Sequence, residues 1–221
     1  MPAVNFDPVA RPYRWLEYLS FGPSLALCRN AQLAHLTQAQ NALVLGDGDG
    51  RFLARLLSVN ATLTADVVDS SQAMLDLLEN RARRAGVSTP ERIRLHHSDA
   101  LEWHATRSYD LIVSHFFLDC FFPQQLEQLL DRVLPHAVPG ALWVISEFAI
   151  PPNRVAAYVA RRIIALLYRA FGVLTGLRVR QLPDYEAALL LRGLIPGHDR
   201  RYLGGLLHSK LWFLPNTPLQ K

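Results

Sequence analysis

The residues best suited to binding a ligand form a glycine-rich stretch at 43–52, LVLGDGDGRF. Glycines at alternate positions let the backbone turn sharply and approach a ligand closely, because no Cβ atom stands in the way. The stretch also carries two carboxylates, Asp47 and Asp49, which would repel a pyrophosphate but suit a ligand with an amino group and a sulfonium. Its G-x-G-x-G spacing differs from the G-x-G-x-x-G of dinucleotide dehydrogenases. The electrostatics therefore favour S-adenosylmethionine over NAD.

A second group of polar residues follows the next two apolar runs. Asp69 ends the run at 65–68, where an acid can accept hydrogen bonds from both hydroxyls of a ribose. Its alternative role is to cap the following helix, a role that Ser70 or Ser71 also fits. Ribose binding and helix capping both occur if Ser70 or Ser71 caps the helix while Asp69 binds the ribose. Asp99 follows the third run, where a side chain can meet the edge of an adenine.

The stretch 114–120, SHFFLDC, holds the candidates for catalysis. His115 is of a residue type whose ordinary pKa, about 6.5, suits a base at neutral pH. Asp119 could orient His115 or itself remove a proton from a substrate hydroxyl. As alternatives, His115 contacts the cofactor or is a hydrogen-bonded buried histidine, and Asp119 caps a helix that begins near Pro123. Cys120 is a weak candidate for a nucleophile, because no helper His/Asn pattern is evident.

Short apolar runs alternate with helical patterns along the chain, which is typical of a parallel sheet with helices on both faces. Strands are predicted at 42–45, 65–68, 93–95, 109–113 and 141–145, with a last strand at 206–214. Helices are predicted between the strands and at 153–174 and 184–193. Because ligands bind at the carboxyl edge of such a sheet, we expect the polar residues above to lie there.

The first forty residues have a helical pattern of their own. A first helix is expected to end at Phe21-Gly22-Pro23, and a second to run from Ser24 towards Leu36. We therefore predict that residues 1–40 form a helical cap over the cofactor site. Residues 41–221 would form a Rossmann-like domain, and the two parts would make one structural domain.

The composition indicates a folded chain, since 50% of its 221 residues are hydrophobic and 19% are charged. This excludes a disordered tail, a coiled coil and a collagen-like repeat. Two cysteines are too few for a disulfide framework, and the chain has neither a signal-like start nor a membrane-spanning apolar run, so we expect a cytoplasmic protein. The net charge of +4 comes from scattered basic residues, which argues against nucleic acid as a partner. His96 and His97 point to opposite faces of a strand, and no metal site is expected.

The chain resembles the class I S-adenosylmethionine-dependent methyltransferases over most of its length, and among them the C-methyltransferases of ubiquinone and menaquinone biosynthesis. The stretches that carry the resemblance are Phe6…Tyr13…Leu19-Ser20-Phe21-Gly22; Gly46 to Gly50 with Asp69; Ser98-Asp99-Ala100 followed by Tyr109-Asp110-Leu111-Ile112; and Arg132-Val133-Leu134 leading through Gly140 to Ser146-Glu147-Phe148. The resemblance implies a doubly wound, mostly parallel seven-stranded Rossmann-like sheet with an N-terminal helical extension. The chain departs from the family at Val44, where an acid is usual, and at Asp119, where quinone-biosynthesis enzymes tend to have arginine.

The resemblance also implies roles for single residues. The three glycines of the loop would lie under the methionine part of the cofactor, the acid after strand two would hold the ribose, and the Asp-Ala pair after strand three would flank the adenine. Tyr13 would close over the cofactor from the N-terminal side. The expected cofactor contacts are Tyr13, Leu45, Gly46, Asp47, Gly48, Gly50, Asp69, Ser70, Met74, Asp99, Ala100 and His115, and the expected catalytic residues are His115 and Asp119.

We therefore predict an S-adenosylmethionine-dependent methyltransferase that acts at carbon or oxygen of a small, apolar or aromatic acceptor. Four phenylalanines at the strand-four exit and the helix 153–174 would surround this acceptor. The alternative from another class is a non-catalytic S-adenosylmethionine-binding module that acts through a partner protein. Arginines on the helix 153–174 allow docking on a membrane that supplies a lipid-soluble acceptor, but we prefer an ordinary cover helix. Glu147, after the fifth strand, either belongs to the site or pairs with an arginine.

Overall fold

Within the described residues, the chain forms seven strands and six α-helices. The structure is a computed structural model and describes residues 21–87, 91–176, 179 and 181–216. The strands are β1 (Asn41–Leu45), β2 (Thr64–Asp69), β3 (Ile93–His97), β4 (Tyr109–His115), β5 (Ala137–Phe148), β6 (Ile195–Tyr202) and β7 (Leu207–Phe213). The helices are α1 (Ser24–Asn30), α2 (Arg51–Val59), α3 (Gln72–Arg84), α4 (Pro123–Val133), α5 (Arg154–Thr175) and α6 (Tyr185–Leu191).

The strands form one sheet in the order β3-β2-β1-β4-β5-β7-β6. Neighbours from β3 to β5 are parallel, and β7 is antiparallel to both β5 and β6. The predicted α/β fold with a mostly parallel seven-stranded sheet is confirmed. From β1 the chain adds strands first on one side of the sheet, as β2 and β3, and then on the other side, beginning with β4. In sheets of this kind, ligands bind at the carboxyl ends of the two strands where the direction changes, here β1 and β4. There Leu45 lies beside Ser114, so the glycine-rich loop and the strand-four exit leave the sheet side by side.

The strand β6 was not located from the sequence, although seven strands were expected. Its sequence, IPGHDRRY, has no apolar run, and most of its residues are exposed. It lies at the edge of the sheet and pairs only with β7. Polar and charged side chains are usual on such an edge strand, because they oppose pairing with another chain. The last predicted strand, 206–214, is confirmed as β7.

Side chains of the central strands alternate between two buried layers. On one face, which we call the α4 face, Leu43, Leu45 and the fully buried Trp143 pack against α4. On the other, the α2 face, Val44 and Val113 pack against α2 and α3. Because both faces of the sheet are covered, the sequences of these strands are continuously apolar and do not alternate between apolar and polar residues. These layers hold the carboxyl edge of the sheet in place.

The helices begin and end at recognisable caps. The side chain of Ser71 caps α3, and that of Asn153 caps α5. The helix α5 ends at Gly176, which adopts the left-handed conformation that favours glycine at this position. The helices predicted at 153–174 and 184–193 are therefore confirmed, with their ends shifted by one or two residues.

The predicted N-terminal cap is only partly covered by the described residues. Residues 1–20, and with them Tyr13, lie outside that part of the chain. The helix predicted from Ser24 is present as α1 but ends at Asn30, before a 3-10 turn at Leu33–His35. The helical extension is not confirmed, and the boundary at residue 40 stays a prediction. No helix within the described ranges is long and apolar enough to cross a membrane.

Candidate active site

The glycine-rich loop connects β1 to α2 and bends at each of its glycines. Gly46, Gly48 and Gly50 all have positive φ angles, of 61°, 61° and 75°. A Cβ atom on Gly46 would overlap the ring of Phe117 in the strand-four exit. The N–H of Gly46 also donates to the carbonyl of Val68 at the end of β2, at 3.0 Å. The loop is therefore packed between the end of β2 and the strand-four exit.

The two acids of the loop have different surroundings. Asp49 is held by arginines, with Arg51 Nε and Arg81 Nη2 each 2.8 Å from its carboxylate. Asp47 is also buried, but one of its oxygens only accepts the Leu53 N–H, at 3.1 Å, and the other has no partner in the described part of the chain. Burial raises the pKa of Asp47 to about 7. Asp47 therefore offers a carboxyl oxygen to a cationic ligand group, whereas Asp49 does not.

Asp69 lies at the carboxyl end of β2, half-buried, as the ribose assignment requires. Its Oδ1 accepts the Ser71 N–H at 2.9 Å, and its carbonyl accepts the Ser98 N–H at 3.1 Å. The hydroxyl of Ser71 accepts the Met74 N–H, so Ser71 is the helix cap and the exposed Ser70 is not. The capping alternative therefore does not apply to Asp69.

The residues assigned to the adenine and the methionine differ in how accessible they are. Asp99 is exposed, and its carboxylate accepts the Leu101 N–H at 2.8 Å. Ala100, Met74 and Leu45 are buried, and the Leu45 side chain lies in the core on the α4 face. Leu45 can therefore meet a ligand only through its backbone.

His115 ends β4 on the α2 face of the sheet. Its ring packs edge-on against Phe52 of α2, with the ring centroids 4.4 Å apart. Neither ring nitrogen has a hydrogen-bond partner among the described residues. Burial, and after it the positive charge of Arg29, lower the pKa of His115 well below its ordinary value. The side chain is therefore neutral, and Asp119 does not orient it by a hydrogen bond.

The backbone turns sharply after β4. Phe116 has a φ of 53°, a left-handed conformation that is unusual for a bulky residue, and its N–H donates to the Ser146 carbonyl at 2.7 Å. A 3-10 turn at Leu118–Cys120 follows. Asp119 lies in this turn, while Phe122 occupies the cap position of α4, so the capping role considered for Asp119 is wrong. Such conformations are held only where the surrounding structure enforces them, commonly at functional sites.

A pair of buried carboxyls lies beside this turn. Glu147, at the end of β5, accepts the N–H groups of Phe117 and Leu118 at 3.0 and 2.8 Å. Burial raises the pKa of Glu147 well above its ordinary value, and the neighbouring Asp119 carboxyl raises it further. Burial also raises the pKa of Asp119 to about 6. The sequence left two roles open for Glu147, in the site or paired with an arginine, and no arginine pairs with it in the described residues.

Apolar and aromatic side chains surround the carboxyl pair. Phe116 packs against Phe148, and Phe117 packs against Phe121, with ring centroids 5.2 and 5.0 Å apart. The hydroxyl of Tyr168 on α5 donates to the Asp119 carbonyl at 3.1 Å. Burial raises the pKa of the Cys120 thiol well above its ordinary value, which does not suit a nucleophile. No cluster of three or more potential metal ligands occurs within the described ranges.

Residues 43–143 match the sequence profile of a family described as a methyltransferase domain. A curated relative, the carboxy-S-adenosyl-L-methionine synthase of Nautilia profundicola, is 26% identical over 119 residues, which are 54% of this chain and 49% of the relative. The chain thus spans about half the length of that relative. The residues matched by the domain profile, 43–143, include the glycine-rich loop, Asp69, Asp99 and β4, which form the predicted cofactor site.

Solved structures show the same fold. The N-methyltransferase NodS of Bradyrhizobium japonicum, in complex with S-adenosylhomocysteine, is 16% identical with a TM-score of 0.61, over 85% of this chain and 86% of NodS. An O-methyltransferase family 2 protein of Planctomyces limnophilus, in complex with apigenin, is 18% identical with a TM-score of 0.67, over 92% of this chain and 61% of that protein. The narrower similarity to quinone-biosynthesis C-methyltransferases is not confirmed by these matches. Residues 43–143 thus match a methyltransferase domain, and the chain shares the fold of these solved methyltransferases.

Proposed function

We propose that the protein transfers the methyl group of S-adenosylmethionine to a small, apolar or aromatic acceptor, at oxygen or carbon, and that Asp119 receives the acceptor's proton. The observation that carries the proposal is the register of β1 and β4. It brings the loop with the unpartnered Asp47 oxygen beside an aromatic turn with a buried carboxyl. A cationic donor and an apolar acceptor would meet there.

The residues of the loop and of the next two strands fit the cofactor. Gly46, Gly48 and Gly50 give the loop the turns on which the methionine part would lie, and the free oxygen of Asp47 would accept a hydrogen bond from its amino group. Asp69 would hold the ribose, and the exposed Asp99 would contact the adenine. When bound, the cofactor supplies an electrophilic methyl group on a sulfonium.

The residues around the acceptor are assigned from what methyl transfer requires of them. Methyl transfer needs an aligned nucleophile, a site without water and, for a hydroxyl, a proton acceptor. Phe116, Phe117, Phe121 and Tyr168 would exclude water from the acceptor, and Asp119, whose pKa burial raises to about 6, is the carboxyl that lies among them. The apigenin complex of the P. limnophilus protein supports a planar aromatic acceptor. Quinone precursors belong to the same chemical class, and we expect the reaction to take place in the cytoplasm.

Calorimetric titration with S-adenosylmethionine, S-adenosylhomocysteine and NAD tests the cofactor site first. We expect micromolar binding of the first two and none of NAD. Transfer of a labelled methyl group to a panel of phenols, quinols and enols then tests the reaction. Binding without transfer to any member would support a non-catalytic module and refute the proposal.

A substitution separates catalysis from binding. Asp119→Asn keeps the size of the side chain but removes the proton acceptor, so we expect a roughly 10²–10⁴-fold loss of turnover with unchanged affinity for S-adenosylhomocysteine. Asp131→Asn is the matched control, because Asp131 lies on the exposed side of α4 with 69% of its side chain accessible. Full activity of the Asp119 variant would remove this residue from the reaction.

A further inference from the structure

The helix α5 presents one face to the core and the opposite face to solvent. Its inward side chains Ala160, Ile164 and Tyr168 belong to one apolar cluster with Phe148 and Cys120. As the sequence favoured, α5 therefore covers the acceptor side of the candidate site. A helix that only covers a core needs no large apolar side chains on its outer face, but α5 has them.

Four apolar side chains follow one line along the outer face of α5. They are Val155, Val159, Leu166 and Val173, which are 74, 49, 69 and 88% exposed. Their spacings of four and seven residues place them on one side of a helix that has 3.6 residues per turn. At a rise of about 1.5 Å per residue, the line is roughly 27 Å long. Single exposed apolar side chains are normal on a protein surface, but an aligned set on one helix indicates an interaction surface.

Four arginines lie beside this apolar line on the same exposed face. They are Arg154, Arg161, Arg162 and Arg169. Arg162 and Arg169, seven residues apart, flank the line directly, and the other two lie farther round the helix. The sequence of α5 contains no acid, and none of these arginines forms an ion pair with an acid among the described residues. Arg162 instead lies over the exposed ring of Tyr158, 5.1 Å from its centroid. The outer face is therefore apolar along one side and positively charged along the other.

We propose that the outer face of α5 docks on an anionic membrane surface, with its apolar line among the acyl chains and its arginines against the lipid phosphates. Basic side chains beside an apolar line are typical of interfacial helices, which lie in the plane of a membrane. The helix α5 itself is not apolar enough to cross one. The anionic lipids of a cytoplasmic leaflet supply the complementary charge. The inference goes beyond the proposed methyltransferase function and does not depend on it.

Two other kinds of partner fit this face less well. A second copy bound by a symmetric contact through α5 would bring the arginines of two helices together, with no acid on either helix to compensate them. A nucleic acid or an acidic protein matches the arginines but leaves Val155, Leu166 and Val173 without an apolar partner. A lipid surface satisfies both sides of the helix, because it offers acyl chains next to phosphates.

Docking through α5 would place the acceptor side of the candidate site close to the lipid. The hydroxyl of Tyr168, on the inward face of α5, donates to the Asp119 carbonyl at 3.1 Å. The thickness of one helix, about 10–12 Å, therefore separates the strand-four turn from the outer face. An apolar acceptor dissolved in the membrane would have only this distance to travel to the site.

Sedimentation with vesicles tests the inference on the full chain and without any acceptor. The vesicles are phosphatidylcholine, or phosphatidylcholine with about one third phosphatidylglycerol. We expect about 100-fold tighter binding to the anionic vesicles, and loss of that difference in about 1 M salt, where charge attraction extends only about 3 Å. Arg162→Gln with Arg169→Gln should weaken binding about 25-fold, since each basic residue near an anionic surface contributes a factor of about five. Leu166→Gln should weaken it about tenfold.

Matched variants change the same chemistry elsewhere on the surface. Arg55→Gln with Arg84→Gln removes two exposed arginines from α2 and α3, and Leu191→Gln removes an exposed leucine from α6. Both controls should bind the anionic vesicles within about twofold of the unchanged protein. Circular dichroism should show every variant folded, because all the substituted side chains are exposed.

Four results would overturn the inference. The first two are absence of binding to the anionic vesicles at low salt, and equal losses in the Arg55/Arg84 and Arg162/Arg169 variants. The third is binding to heparin as tight as to vesicles and insensitive to Leu166→Gln, which would indicate a site for polyanions. The fourth is a dimer, detected by light scattering, that Leu166→Gln abolishes, which would assign the face to a second copy. Vesicle binding by a protein that transfers no methyl group would support this inference and refute the proposed function, and methyl transfer to soluble phenols without vesicle binding would do the reverse.

Discussion

Substitution of Gly50 by alanine tests whether the loop and α3 are packed against each other as described. Gly50 has a φ of 75°, and an alanine Cβ there would lie 2.5 Å from Leu78 Cγ and 2.8 Å from Leu78 Cα. The left-handed conformation costs an L-residue about 1–2 kcal/mol. The contact with the backbone of α3 adds about 1–3 kcal/mol, because a helix backbone cannot move aside as a side chain end can. We therefore expect Gly50→Ala to lower the free energy of unfolding by about 2–5 kcal/mol.

Gly86→Ala is the matched control for this prediction. Gly86 has a similar φ, 69°, but a Cβ atom there would have no neighbour within 4 Å. Its cost should be only that of the left-handed conformation, about 1–2 kcal/mol. Urea unfolding followed by circular dichroism measures both, and calorimetry with S-adenosylhomocysteine should show weaker binding for Gly50→Ala alone. Equal losses of unfolding free energy in the two variants would refute the close approach of Gly50 to α3.

Three further predictions concern acids at the sheet edge and in the core. Asp69→Ala should weaken S-adenosylmethionine binding about tenfold or more in calorimetry, while Ser70→Ala should not change it. Burial raises the pKa of Asp66, but hydrogen bonds from Arg94 and His96 outweigh it and hold that pKa below its ordinary value. Asp66→Asn should therefore lower the free energy of unfolding by about 3 kcal/mol at pH 7. That loss should shrink as the pH falls through the lowered pKa of Asp66. The raised pKa of Asp47, about 7, means that the folded state binds the extra proton, so stability falls as pH rises from about 4 to 7. Asp47→Asn should reduce this slope, measured by denaturation at pH 5 and pH 8.

Most of the fold could be predicted because its signals are local. Each strand from β1 to β5 is a short apolar run between turns, and burial on both faces is what removes the polar residues from such a run. The edge strand β6 shows the limit of this reasoning. Its polar sequence pairs with β7 on one side only, so nothing in its composition distinguishes it from a surface loop.

The turn of the glycine-rich loop could also be predicted from local patterns. The loop glycines stand at alternate positions in the sequence, and their positive φ angles confirm the sharp turn that their spacing indicates. Which loop acid stays available could not be predicted, because Arg81, which neutralises Asp49, lies 32 residues away. The surroundings of His115 could not be predicted either, because they depend on Phe52 of the neighbouring helix.

The buried acids of the described residues divide into two groups, and the division separates structure from function. Asp49 and Asp66 are paired with arginines at 2.8 Å, so their charges are compensated within the fold. Asp47, Asp119 and Glu147 are buried as deeply but have no such partner among the described residues. Burying an uncompensated acid costs stability, and its pKa rises instead. All three lie where the glycine-rich loop and the ends of β4 and β5 meet. The fold therefore keeps carboxyls there whose charge no arginine of the described residues compensates.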